Sequence, residues 1–298
     1  MSGPDRPSDK ALEIHGRYLT VDGHRIYLDE IGSGGRGTIL CVHTAGMSSL
    51  EWRFFLPYFG RLGYRVLAPD LPGHGKSLLR QWKPIESIHE YGEILCQLVQ
   101  ALNLSRPVLA GCSIGGDIVL DMGAHHPQDW AAIVCCEAGM RNQTFPEDFL
   151  ERGREDAGIP GFHEFTYYRT AALCGRGAPA ERVREIQWLR RRGDPKIMIH
   201  DLLAWNRHDL TSMASRIAVP TVLVRGADDS GISQDAVEQT RKAIPGAEFV
   251  VLPGVGHFPM TEYDGFAQVV ESFLGPPRFL MKAGNLKLSR RGRRQNGH

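Results

Sequence analysis

The chain has 298 residues, 42% hydrophobic and 23% charged, with a formal net charge of +1. That composition excludes a disordered or fibrous chain and gives no global pull toward nucleic acid, while the length suits one large α/β domain with an insertion or two small domains. No apolar run approaches the roughly 20 residues of a membrane helix and the N-terminal MSGPDRPSDK has no apolar signal core, so no membrane partner is expected and the expected location is cytoplasmic.

Residues 1–12 are polar and read as loose. Tyr18–Thr20 and Arg25–Leu28 flank Asp22-Gly23, a hairpin signal. Thr38–His43 reads as a short apolar strand, Trp52–Arg61 as a helix, and Arg65–Pro69 as a second buried strand. A turn-rich loop, Asp70-Leu71-Pro72-Gly73-His74-Gly75-Lys76-Ser77, follows. Glu90–Leu102 has apolar residues at helical spacing, and then come a strand at Val108–Cys112, a helix at Ile114–Ala124 and a strand at Ala131–Cys136.

After Glu137 the pattern changes. Residues 138–216 are rich in Arg, Glu and aromatics and show no clear strand, with helical pieces at 147–157, 163–174, 180–191 and 195–206. Alternation then resumes: strand Thr221–Arg225, helix Asp235–Ala243, strand Ala247–Leu252 and helix Phe266–Leu274. Short apolar strands alternating with helices predict an α/β chain with a mostly parallel, doubly wound sheet. The expected division is a core of 1–137 and 217–277, a helical cap at 138–216 over the C-terminal edge of the sheet, and a basic tail at 278–298. The tail carries seven Lys and Arg and no acid, which leaves the rest of the chain at about −6. It reads as a solvated, frayed terminus or as a contact for an anionic surface. The six cysteines show no C-x-x-C spacing, so reduced thiols are expected and no metal site.

The segment PVLAGCSIGGD (107–117) carries the most chemistry. An apolar strand, Gly111-Cys112-Ser113-Ile114-Gly115 and an apolar helix make a G-x-S-x-G elbow. The turn presents the Ser113 hydroxyl, and the helix start supplies N–H groups and partial positive charge where an oxyanion forms. A serine needs a base within reach. His257, in the loop Leu252-Pro253-Gly254-Val255-Gly256-His257-Phe258-Pro259 after the last strand, is the candidate. The base needs an acid to hold its tautomer, and two are offered. Asp229 follows the strand 221–225, with Asp228 beside it able to cap a turn. Glu137 ends the strand 131–136, 24 residues after Ser113. The oxyanion donors expected are the amides of Ile114 and Ala45, the latter in the loop His43-Thr44-Ala45-Gly46. His43 reads as a loop-stabilising histidine, and Asp70 and His74 as organisers of their own loop. Thr44, Trp188 and Trp205 are candidate substrate contacts. More broadly, the cap aromatics Phe162, Phe165, Tyr167, Tyr168, Trp188 and Trp205 either favour an apolar substrate or pack the cap onto its base.

With these pieces in this order the chain resembles the α/β-hydrolase superfamily from about residue 17 to 275, through DLPGHGKS (70–77), GCSIGG (111–116), RGADD (225–229) and PGVGHFP (253–259). The resemblance implies the α/β-hydrolase fold and the order Ser, acid, His. In most members the acid follows the strand that here ends at Arg225, which favours Asp229. In haloalkane dehalogenases and zearalenone lactonases a glutamate sits where Glu137 does, and GCS…CCE and LPGVGHFP look like the lactonase pattern. Many members carry His-Gly-x-Gly or His-Gly-x-Pro where this chain has HTAG (43–46). A serine nucleophile argues against an epoxide hydrolase or a haloalkane dehalogenase. The reading is a cofactor-independent serine hydrolase acting on a small-molecule ester or lactone, with no nucleic-acid partner. A C–C bond hydrolase using the same residues and a non-catalytic ligand receptor are the rivals.

Overall fold

The computed structural model describes residues 12–141 and 145–275. The basic tail at 278–298 therefore lies outside the described residues. Eight strands form one sheet: β1 (His15–Val21), β2 (His24–Ile31), β3 (Thr38–Val42), β4 (Arg65–Pro69), β5 (Val108–Cys112), β6 (Ala132–Cys136), β7 (Thr221–Gly226) and β8 (Glu248–Leu252). Their spatial order is β1-β2-β4-β3-β5-β6-β7-β8. The β1–β2 hairpin turns at Asp22-Gly23, and β2 lies antiparallel to β4. Every later pairing is parallel. The mostly parallel sheet is thus as the strand–helix alternation predicts, and the architecture is the α/β-hydrolase fold that the resemblance implies.

Side chains alternate strictly between two cores, as a pleated strand requires. Leu40, Val42 and Leu109 face one core, and Ile39, Cys41, Val108 and Ala110 face the other. Helices cover both faces. α1 (Phe55–Arg61) brings Phe55 and Phe59 to the second core, whereas α2 (Ile88–Ala101) and α3 (Ile114–His125) cover the first. The expected helix at Trp52–Arg61 is divided: a 3-10 turn, Ser49–Trp52, precedes α1.

Among the described residues four α-helices stand between β6 and β7: α4 (Glu147–Asp156), α5 (Phe162–Leu173), α6 (Ala180–Arg191) and α7 (Pro195–Arg207). Asp194 caps α7 by accepting from the Lys196 and Ile197 amides, and Pro195 occupies its first turn. This insertion is packed onto the sheet unit. Ile197, Ala204 and Trp205 of α7 belong to the first core, and Ile186 and Leu189 of α6 pack with Met47 and Phe258. Ion pairs Arg176–Asp228 and Arg182–Asp264 and the contact His74–Asp201 add to the join. α8 (Gln234–Ala243), the short α9 (Pro259–Glu262) and α10 (Phe266–Leu274) complete the fold, and Phe266 and Val270 of α10 cover the second core.

Candidate active site

Ser113 sits between β5 and α3 at φ 56° and ψ −122°, a left-handed position that lifts its side chain out of the strand direction. The flanking glycines are required by space. A Cβ on Gly111 would lie 2.0 Å from the Gly115 carbonyl oxygen, and one on Gly115 would lie 2.3 Å from the Val42 oxygen. The Ser113 amide donates to the Cys136 carbonyl at 2.9 Å, which pins the turn to β6.

His257 comes to the same cavity from the loop after β8. Its Nδ1 lies 2.9 Å from Asp229 Oδ2. Asp229 Oδ1 accepts from the Gly231 amide at 2.7 Å. Burial works to raise the Asp229 pKa, but the His257 charge and the hydrogen bonds from His257 and the Gly231 amide outweigh it and hold the carboxyl at about 2. Among the described residues no hydrogen bond joins Glu137 to His257. Instead Glu137, fully buried at φ 47°, accepts from the Gly226 amide through Oε1 and brings a carboxyl oxygen within 4.8 Å of Asp229 and His257. Burial first, then the Asp229 charge, push Glu137 well above the usual carboxyl range. The two carboxyls the sequence offers as alternatives thus stand side by side at one ring, and Asp229 is the one bonded to it. Asp228 forms a bidentate pair with Arg176 of the insertion.

The His257 loop is held from both sides by a residue the sequence reading passed over. Glu262 accepts from the amides of Gly175 (2.8 Å), Gly256 (2.7 Å) and Phe258 (2.9 Å). Its signal was a lone acid five residues after the histidine, too common a pattern to single out.

The loop after β3 meets the start of α3. Neither the Ala45 amide nor the Ile114 amide donates to a described group, as candidate oxyanion donors require. His43 fastens this loop to the next: its Nδ1 lies 2.8 Å from the Thr44 oxygen, and its Nε2 accepts from the Leu71 amide at 2.9 Å. Accepting at Nε2 requires the neutral ring, and burial holds its pKa well below 6.5. Asp70 accepts from the Ser49 and Lys76 amides. His74 reaches beyond its own loop, with Nε2 2.7 Å from Asp201 Oδ2 on α7.

Ser113, His257 and Ala45 line one cavity of about 720 Å³ beneath the insertion. Trp205, Phe162 and Phe165 line it too. Thr44 and Trp188 are placed elsewhere. Thr44 turns to the buried Glu51, its amide 2.8 Å from Oε2 and its hydroxyl 2.7 Å from Oε1. Trp188 is 55% exposed on the outer side of α6, with the Arg192 guanidinium 4.7 Å above its ring. Tyr167 and Tyr168 also stay off the wall, so half of the cap aromatics face the cavity. Two other groups, His89–Asp121–His125 and Glu93–Cys96–His126, bring ligating atoms within 4.8 Å of one another, but neither lines the cavity.

The alpha/beta hydrolase fold family matches residues 37–262. A bifunctional esterase/perhydrolase of Acinetobacter calcoaceticus is 24% identical over 275 residues, 87% of this chain and 99% of the relative. A 2-hydroxy-6-oxononadienedioate/2-hydroxy-6-oxononatrienedioate hydrolase of Cupriavidus pinatubonensis is 26% identical over 284 residues, 87% of this chain and 95% of the relative. Among solved structures, an enol-lactonase from Burkholderia xenovorans superposes with a TM-score of 0.78 at 21% identity, covering 87% of this chain and 99% of its own.

Proposed function

The chain belongs to the alpha/beta hydrolase fold family, and from that premise we propose that it is a serine hydrolase that cleaves a carboxylic ester or lactone through an acyl-enzyme. One observation carries the reading: Ser113 on a strained elbow shares a cavity with a histidine whose Nδ1 is held by a carboxylate. That contact leaves Nε2 of His257 as the basic atom.

In this reading Nε2 takes the Ser113 proton as Oγ attacks the carbonyl carbon. Asp229, ionised throughout, holds the Nδ1 proton and stabilises the imidazolium. The amides of Ala45 and Ile114 take the charge that develops on the carbonyl oxygen. The C–O bond breaks, the imidazolium gives its proton to the departing alkoxide, and Ser113 is left acylated. Water, deprotonated by His257, then attacks the acyl carbon and releases the acid and the free serine.

The test is hydrolysis of p-nitrophenyl acyl esters, an aromatic macrolactone and a vinylogous diketone by the wild type and by Ser113→Ala. Ester or lactone cleavage that disappears in the variant supports the reading. Cleavage of the diketone alone moves the assignment to C–C hydrolysis. Undiminished cleavage in the variant overturns the role of Ser113.

A further inference from the structure

The cavity above Ser113 is charged in one sense only. Among the described residues its wall carries Arg152, Arg169 and Arg190 and no Asp or Glu. Arg152 is answered by Asp148 at 3.2 Å. Arg169 and Arg190 have no carboxylate within ion-pair distance among the described residues. Arg169, on α5, lies against the rings of Phe145 and Phe165, 5.8 and 6.0 Å from their centroids. Arg190 lies in the last turn of α6.

The carboxylates nearest in effect to Arg190 are committed elsewhere. Glu51 accepts two hydrogen bonds from Thr44, and Asp201 holds His74 and the Tyr91 hydroxyl. Burial pulls Arg190 down to about 10, Glu51 opposes the fall and the Arg169 charge adds to it, so the group stays protonated at neutral pH. The two guanidinium groups repel each other on a wall that also carries Phe162, Met198, Ile199 and Leu202, and an anion bound between them would offset that repulsion.

We propose that the substrate is an ester or lactone bearing a carboxylate remote from its scissile carbonyl, and that Arg190, assisted by the more exposed Arg169, binds that carboxylate. The inference rests on the serine-hydrolase reading above and narrows its substrate class. A guanidinium fork matches a carboxylate with two parallel N–H donors, which fixes orientation as well as charge. The apolar wall takes the chain between the two ends, and about 720 Å³ is room for a small-molecule substrate. The carboxylate takes no part in bond breaking.

The experiment compares two esters with one leaving group and one acyl length: p-nitrophenyl octanoate and the mono-p-nitrophenyl ester of octanedioic acid. The expected kcat/KM favours the anionic ester by about tenfold or more, the size of one charge-assisted hydrogen bond. Arg190→Met should cut that ratio by about tenfold, Arg190→Lys should restore part of it, and added salt should weaken the wild-type preference. An equal or reversed preference in the wild type, or a ratio that Arg190→Met leaves unchanged, overturns the proposal. Ser113→Ala is measured alongside. If it abolishes both hydrolyses while the wild type shows no anionic preference, the anion site fails and the hydrolase reading stands. If both esters are still cleaved, the hydrolase reading itself fails. Should Arg190→Met not fold, inhibition of the wild type decides: octanedioate must bind about tenfold tighter than octanoate, and equal inhibition overturns the site.

Discussion

Glu137 and Asp229 bring carboxyl oxygens within 4.8 Å of each other beside His257. They follow the neighbouring parallel strands β6 and β7, so the sheet itself brings their carboxyls together. Asp229 contacts the ring at 2.9 Å, whereas Glu137 is fastened to the Gly226 amide. Burial and the Asp229 charge both push Glu137 well above the usual carboxyl range, which works against a second charge beside the histidine.

The two acids should therefore differ sharply on substitution. Asp229→Ala is expected to lower kcat by about 10³-fold or more, the order seen when a histidine loses its orienting carboxylate. Glu137→Gln keeps an acceptor for the Gly226 amide and should cost about tenfold or less, whereas Glu137→Ala should cost more than Glu137→Gln. Steady-state kinetics of the three variants test this. A Glu137→Ala loss equal to that of Asp229→Ala would place the essential charge on Glu137.

Thr44 stands where many relatives carry glycine, and its extra atoms serve Glu51. Burial pushes Glu51 up to about 7 against the two Thr44 hydrogen bonds. Its folded pKa lies above the ordinary 4.5, so the stability it contributes is full below 4.5 and is lost as pH rises to about 7. Glu51→Gln removes that titration, so wild-type stability relative to the variant should fall across this window. Urea midpoints at intervals from pH 4.5 to 7.5 measure it. Thr44→Val, which strips Glu51 Oε1 of its donor, should cost about 1–3 kcal/mol and lower kcat by displacing the Ala45 amide. Unaltered kcat in a folded Thr44→Val would show that the Thr44–Glu51 contact does not position the loop.

The strand–helix alternation was legible because each β-strand of the parallel sheet is a short apolar run and each elbow glycine has a steric reason visible in the motif. The insertion helices were legible from spacing alone. What the sequence could not decide was which residues of those helices face inward. Trp188 and Trp205 look alike as letters, yet one lies outside on α6 and the other lines the cavity. Thr44 reads as a small polar residue beside the nucleophile. Only the position of Glu51, seven residues on, turns it away from the cavity. Arg190 stands in a run of three arginines, and nothing in that run tells which one reaches the cavity wall.

The buried pair of His74 and Asp201 joins the loop after β4 to α7. Burial works to lower the His74 pKa, but the Asp201 charge and hydrogen bond and the Pro72 carbonyl raise it above 6.5. A raised folded value means that its stabilisation is full below about 6.5 and is lost as pH rises through the folded pKa. The difference in urea midpoint between wild type and His74→Asn should therefore shrink from pH 6 toward pH 9. A difference that stays constant across that range would mean the ring is neutral throughout and the pair an ordinary hydrogen bond.

Ser113 gives the sharpest separation of stability from chemistry. Its φ of 56° is strained for a residue with a Cβ and free for glycine. Ser113→Ala and Ser113→Gly both remove the nucleophile, so both should abolish hydrolysis. Only the glycine variant relieves the backbone, and it should be more stable than the alanine variant by about 1 kcal/mol, net of glycine's greater freedom when unfolded. Gly111→Ala is the opposite case, since its new Cβ would meet the Gly115 oxygen at 2.0 Å, and it should destabilise by about 4 kcal/mol or more. Thermal and urea melts of the three variants read this out. An alanine variant as stable as the glycine variant would show that the elbow stores no strain at Ser113, and activity would then owe nothing to it.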